Sequence, residues 1–321
     1  MLGYRRLLQV DHEMSSTQVV WPNFLVIGAA KAGTTALHSM LSEHPDIFMS
    51  PVKEPKFFCF EGGPPDWRGP GDQDRVKGYI TDRDQYLELF RGHAGEARIG
   101  ESTPWYLYSE QAADRIKCYI PEARLIAILR HPVERAFSQY LHRVRDGVEF
   151  LTDFAEAVRS EPERRDKQWG WPWRYLERGF YAQQLKWYFK RFPKEQILIL
   201  LYEDFVSQRD ATLRQIFEFL KVDPNFRPST TNRKNESLIP KNLLVHRTLS
   251  RFDPIAKAIP GPLGKAANKS LSHLKRKNLH KPKLNDHLFN DLLESYRTDI
   301  LETESLIERD LSEWLKPRSR I

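Results

Sequence analysis

The run Phe24-Leu-Val-Ile-Gly-Ala-Ala-Lys-Ala-Gly-Thr-Thr-Ala-Leu37 constrains what this chain folds into more than any other stretch. Phe24 to Ile27 is apolar, too short for a helix and bounded by Gly28, which predicts a buried strand. Thr35 to Leu41 then follows helical spacing, with Leu37, Met40 and Leu41 on one face. Between the two lie Gly28, Gly33 and the hydroxyls of Thr34 and Thr35, in a turn where backbone N–H groups converge. A strand, a glycine-containing loop and a helix N-terminus make a phosphate cradle, because first-turn amides are unpaired and the helix dipole favours an anion.

The spacing Gly28-x4-Gly33 is that of a Walker A loop, yet Thr34 stands where that motif places its lysine. The only lysine is Lys31, inside the loop. The apolar run Arg124 to Leu129, the most strand-like in the chain, ends in Arg130 and not in an Asp that would help hold Mg²⁺. Both departures describe a site that handles phosphate with cationic side chains and without metal.

On these residues the chain resembles the sulfotransferases that use 3′-phosphoadenosine 5′-phosphosulfate. Lys31-Ala-Gly-Thr-Thr35 matches their first signature, and Leu129-Arg-His-Pro-Val-Glu-Arg-Ala-Phe-Ser138 matches their second, in the family's order and separation. Lys53-Glu-Pro-Lys-Phe-Phe58 and Gly100-Glu-Ser-Thr-Pro-Trp105 are most similar to the branch of heparan-sulfate sulfotransferases and their bacterial relatives. The likeness covers about residues 22–220 and is loose beyond them.

The resemblance implies an α/β, P-loop-like three-layer fold with a central parallel sheet flanked by helices on both faces. It also implies transfer from that nucleotide, leaving 3′-phosphoadenosine 5′-phosphate, without metal. Carried over residue by residue, Lys31 stabilises the leaving group, and the loop Lys31, Ala32, Gly33, Thr34, Thr35 and Ala36 holds the 5′-phosphate. Arg130 and Ser138 hold the 3′-phosphate. Tyr181 reaches the 3′-phosphate or the adenine, or is a core tyrosine. Arg135 joins the nucleotide site or pairs with Glu134. Glu54 occupies the place of the general base, and Lys56 would face the same side if the segment is extended. Lys56, Glu101 and Ser102 are the acceptor-side candidates, with Glu101 the rival base or a structural carboxylate. Asn232-Arg-Lys-Asn235 is the candidate lid over the nucleotide. Trp171 with Trp173, and Trp105 with Tyr106, stack on sugars, line an apolar pocket or belong to the core. His44 and His131 read as loop residues.

A net charge of +7 and a pI of about 9.2 imply anionic partners or a solvated basic surface. No basic stretch is interleaved with aromatics as in an RNA-binding module, so nucleic acid is not expected. The two cysteines, Cys59 and Cys118, have no metal-type spacing, which excludes a disulfide framework and points to a reducing compartment. Residues 1–23 hold no apolar run long enough for an anchor, so no integral membrane segment and a cytoplasmic location are expected.

Residues 1–20 read as a flexible tail, and 21–321 as a single domain whose part beyond 221 holds a lid and C-terminal helical segment. Glu61 to Gly78 reads as a surface loop. Helices are expected at Tyr86–Phe90, Ser109–Ile120 with Ser109 as cap, Phe150–Arg159, Gly179–Phe189, Thr212–Leu220 and Asn285–Trp314. Ile47–Ser50 and Ile197–Tyr202 read as strands. Two other function classes stay open: a nucleotide-dependent kinase, and a non-catalytic binder of nucleotide or anionic glycan. Acceptors compatible with this reading are a glycan, a glycolipid, a carrier-bound chain or a small natural product.

Overall fold

Short apolar runs alternating with amphipathic ones build a parallel sheet covered by helices. The computed structural model describes residues 20–229, 239–240, 248–249, 252, 261–277, 279–280 and 282–318. Five strands form the sheet: β1 (Phe24–Gly28), β2 (Ile47–Met49), β3 (Arg98–Ser102), β4 (Arg124–Leu129) and β5 (Ile197–Leu201). Their order is β2-β3-β1-β4-β5, and every neighbouring pair is parallel. Phe24 of β1 lies opposite Gly100 on one side and Arg124 on the other. All of β1, and β4 after Arg124, is buried. Strands buried on both faces read as continuous apolar runs and need helices on both sides of the sheet.

The principal helices are α1 (Thr34–Leu41), α2 (Glu110–Tyr119), α3 (Pro132–Arg145), α4 (Tyr181–Phe189), α5 (Arg209–Leu220) and α6 (Asp286–Ile307). Their ends follow local chemistry. The Ser109 hydroxyl accepts from the Ala112 amide at 3.1 Å and starts α2. Pro132 opens α3, where its missing N–H costs little. Asn285 caps α6.

Three expectations need correction. The C-terminal helix stops at Ile307, where Glu308 turns left-handed, and a separate turn of 3₁₀ helix spans Ser312–Leu315. The helix expected from Phe150 starts at Phe154, because the Asp153 side chain caps it there. The stretch Glu61 to Gly78 is not simply a surface loop: it carries a helical turn, Asp72–Val76, around a fully buried carboxylate. Asp72 accepts from the amides of Gly69 (3.0 Å) and Gly170 (2.8 Å) and pairs with Arg75 (2.7 Å), which ties this stretch to the loop before Trp171.

The parallel strands end at one edge of the sheet, and the strand order reverses about β1. Ligands of such sheets bind in the crevice beyond the carboxyl ends at that switch point. Lys31, Glu54, Ser102, Arg130 and Tyr202 all lie at or just past the end of a strand. The expected tail over residues 1–19 and the expected lid Asn232–Asn235 lie outside the described residues. Among the described residues, no helix is long and apolar enough to cross a membrane.

Candidate active site

The cradle forms at the end of β1. Gly33, at φ 89°, caps α1 in the left-handed region, and an added Cβ would stand 3.2 Å from the Tyr202 ring and 3.3 Å from Phe205. Glycine is the residue that tolerates both the conformation and the close approach. The amides of Ala32 and Ala36 are engaged inside the loop, to Ala29 (3.2 Å) and Gly33 (3.0 Å). Gly33, Thr34 and Thr35 supply the first-turn amides that helix geometry leaves without an intrahelical acceptor.

The second motif docks directly on the first. The Arg130 guanidinium donates to the Lys31 carbonyl at 3.1 Å, approaches Glu134 at 3.4 Å and lies 4.8 Å over the Tyr202 ring. Ser138 is buried on α3, two turns further along. Tyr181 stands behind this arrangement. It is 1% exposed, and its hydroxyl donates to the Arg130 carbonyl at 2.9 Å. This is the core placement that the sequence left open beside contact with the nucleotide, and it supports the β4 end. Arg135 is likewise turned inward: it is fully buried and donates to the Tyr175 carbonyl, not to Glu134.

Six described residues other than glycine have positive φ, and three of them are Lys31, Glu54 and Lys56. Left-handed backbone costs ~1–2 kcal/mol per such residue and concentrates where geometry serves a site. The expected extended path through Glu54 and Lys56 is therefore corrected: left-handed turns bring the two together. Glu54 meets Lys53 at 2.8 Å and Lys56 at 3.5 Å, and its amide is held by the Ser102 carbonyl at 3.1 Å. Burial pushes the Glu54 carboxyl up, but the two lysines outweigh it and hold it down at about 2. Lys56 also lies 4.7 Å over Tyr79 and 5.0 Å over Trp105. Lys31 is pulled down to about 7, first by burial, then by the charges of Arg145 and Arg143. Glu54 acts on it in the opposite sense, so the two candidates for chemistry share one electrostatic environment.

Glu101 and Ser102 do not reach this space. Glu54 keeps 29% of its side chain open, whereas both of these are fully buried in β3 between β1 and β2. Burial pushes Glu101 up to about 7, against hydrogen bonds that include Thr103 at 2.8 Å. Its carboxylate is sealed among core groups, and the Ser102 carbonyl holds the Glu54 amide. Trp173 and Tyr106 are core side chains, whereas Trp171 is partly exposed and lies 5.9 Å from Trp105. His44 packs between Phe217 and Phe226, and His131 between Phe289 and Trp314.

Two histidines absent from the sequence reading lie at the site. His38, on α1, is pulled down to about 4 by burial and by Lys53. His142 sits one turn beyond Ser138 on α3, with Nδ1 3.1 Å from Asp146. Burial lowers its pKa, opposed by Asp146 and aided by the Lys31 charge. The signal was the four-residue spacing from Ser138, which puts both side chains on one helix face.

A model of the sulfotransferase family matches residues 22–226. Carbohydrate sulfotransferase 15 of Mus musculus is 27% identical over 275 residues, spanning 69% of this chain and 46% of that protein. Bifunctional heparan sulfate N-deacetylase/N-sulfotransferase 2 of Bos taurus is 28% identical over 224 residues, spanning 67% of this chain and 24% of that protein. The chain thus spans less than half the length of these curated relatives. A solved sulfotransferase structure from Alicyclobacillus acidocaldarius is 32% identical, with a TM-score of 0.71, covering 93% of this chain and 100% of that one.

Proposed function

The chain belongs to the sulfotransferase family, and from that premise we propose that it moves a sulfuryl group from 3′-phosphoadenosine 5′-phosphosulfate to an acceptor hydroxyl. The observation that carries the reading is the contact of Arg130 with the Lys31 carbonyl, which joins the two phosphate-handling motifs into one cationic clamp. In this reading Gly33, Thr34 and Thr35 hold the 5′-phosphate, and Arg130 with Ser138 holds the 3′-phosphate, as a guanidinium fork and a hydroxyl donor do.

Transfer forms a bond between sulfur and the acceptor oxygen and breaks the bond to the bridging oxygen, which leaves with the electron pair. Lys31 supplies the positive charge that this oxygen needs, so cationic side chains fill the place of a metal. Glu54 takes the hydroxyl proton, oriented by Lys53 and Lys56. A second reading of the base rests on one observation: the lysines hold Glu54 at about 2, which makes it a weak proton acceptor. His142, whose pKa burial lowers, accepts the proton through Nε2 only in the tautomer whose Nδ1–H faces Asp146 at 3.1 Å, in place of the Arg143 guanidinium that approaches Nδ1 at 2.9 Å. Relatives named for carbohydrate and heparan sulfate support a sugar acceptor. The free cysteines Cys59 and Cys118 support a cytoplasmic setting.

The test is calorimetric titration with 3′-phosphoadenosine 5′-phosphate in EDTA, on wild type and Arg130→Ala. Micromolar affinity (~8 kcal/mol) in wild type, lost by about 1.5–3 kcal/mol in the variant, supports the clamp without metal. Absence of wild-type binding overturns the nucleotide reading and returns a kinase-like one.

A further inference from the structure

The clamp arginine is flanked by acid. Glu134 lies one turn into α3 and 3.4 Å from the Arg130 guanidinium, and Glu203, just past β5, acts electrostatically on Arg130. Glu203 also accepts from the His131 amide at 3.2 Å. An anion arriving at Arg130 meets both carboxylates, and each repels it.

One short segment engages both. The strap Leu311 to Arg318, which follows α6, places Trp314 as a hydrogen-bond partner of Glu203 and pairs Arg318 with Glu134. The strap is itself well anchored. The Arg318 amide donates to Asn290 at 2.9 Å, and the Asn290 amide group returns a bond to the Arg318 carbonyl at 3.1 Å. The Arg318 guanidinium lies 4.1 Å over the Phe289 ring and 3.8 Å from Asp286. The Trp314 carbonyl meets the His131 ring at 3.0 Å, beside Arg130 in sequence.

We propose that Arg318 is a positioning residue of the nucleotide site: it holds and neutralises Glu134, so that Arg130 is available to the 3′-phosphate. The proposal rests on the reading of Arg130 as a nucleotide clamp. Without Arg318, the cationic partner left to Glu134 among the described residues is Arg130, and the carboxylate competes with the phosphate for it. Both partners of the Arg318 pair are about one-third open, 35% and 32%, so solvent screens the effect and keeps it modest.

The experiment is titration of 3′-phosphoadenosine 5′-phosphate into wild type, Arg318→Ala, Glu134→Gln and the double variant, at low and moderate salt. Arg318→Ala is expected to weaken binding roughly three- to tenfold, more at low salt. The double variant returns to within about twofold of wild type, because the competing carboxylate is gone. Glu134→Gln alone binds at least as tightly as wild type. A merely structural strap would not be rescued by removing a charge on another element. Wild-type affinity in Arg318→Ala, failure of Glu134→Gln to rescue it, or weaker binding in Glu134→Gln alone each overturns the proposal while the nucleotide reading stands. A wild type with no affinity overturns the nucleotide reading, and the proposal with it.

Discussion

Nucleotide binding should take up a proton at Lys31. Burial, with the charges of Arg145 and Arg143, pulls this ammonium to about 7, against the opposing carboxylates of Asp146 and Glu54. In the free protein at about pH 8, roughly one-tenth of it is charged. Bound phosphates favour the charged form and raise its pKa toward the ordinary lysine range. The sign follows: affinity is complete below the free-state pKa and is lost as pH rises above it, because binding must then capture a proton as well. Kd should rise about tenfold per pH unit, ~1.4 kcal/mol, between roughly pH 7.5 and 9. A phosphate monoester has its second pKa near ~6 and is fully ionised across that window. The assay is titration of 3′-phosphoadenosine 5′-phosphate at three pH values, each in two buffers of different ionisation enthalpy. The buffer difference counts protons, and about 0.9 per site is expected near pH 8. Lys31→Met should abolish both the proton uptake and the slope. A Kd that stays flat across the window, with no buffer dependence, refutes the claim that burial discharges Lys31.

Three further outcomes are expected. Glu54→Gln should lower kcat about 10²–10⁴-fold and leave nucleotide Kd within about twofold; near-full activity removes Glu54 as the base and passes the role to His142. The pH dependence of kcat at saturating nucleotide, which is free of the nucleotide's own phosphate ionisation, separates the same two groups: a Glu54 base held at about 2 gives no acid limb above about pH 4, whereas an acid limb above that points to His142. Gly33→Ala should cost roughly 1–2 kcal/mol through its left-handed φ, with Tyr202 and Phe205 forced aside, and should lower Tm by a few degrees. An unchanged melting curve with intact nucleotide binding shows that the loop relaxes around the methyl group.

Much of the fold was legible because its determinants are local. The apolar run Arg124 to Leu129 coincides with β4, Ser109 caps α2, and Pro132 opens α3, since burial, capping and ring constraint act within a few residues. The turn at Gly33 was readable for the same reason, since its left-handed φ and close approach to Tyr202 admit few residue types. Glu54 and Lys56 were named correctly as neighbours but for the wrong geometry, because φ at a single position leaves no trace in periodicity.

The rest depended on contacts distant in sequence. Glu101 and Glu54 are both acids near a strand end, and only the packing of β3 between β1 and β2 seals one and leaves the other open. Tyr181 and Arg135 sit at positions suited to ligand contact, yet α4 and α3 turn both toward backbone carbonyls of the protein itself. The sharing of Glu134 between Arg130 and Arg318 joins residues 184 positions apart. The sequence by itself determined which groups can handle phosphate, because that is set by the chemistry of each residue and its immediate turn. Which of these groups face the ligand, and which charges stand beside them, only the tertiary structure decided, because burial and Coulomb interaction depend on neighbours that chain topology alone brings near.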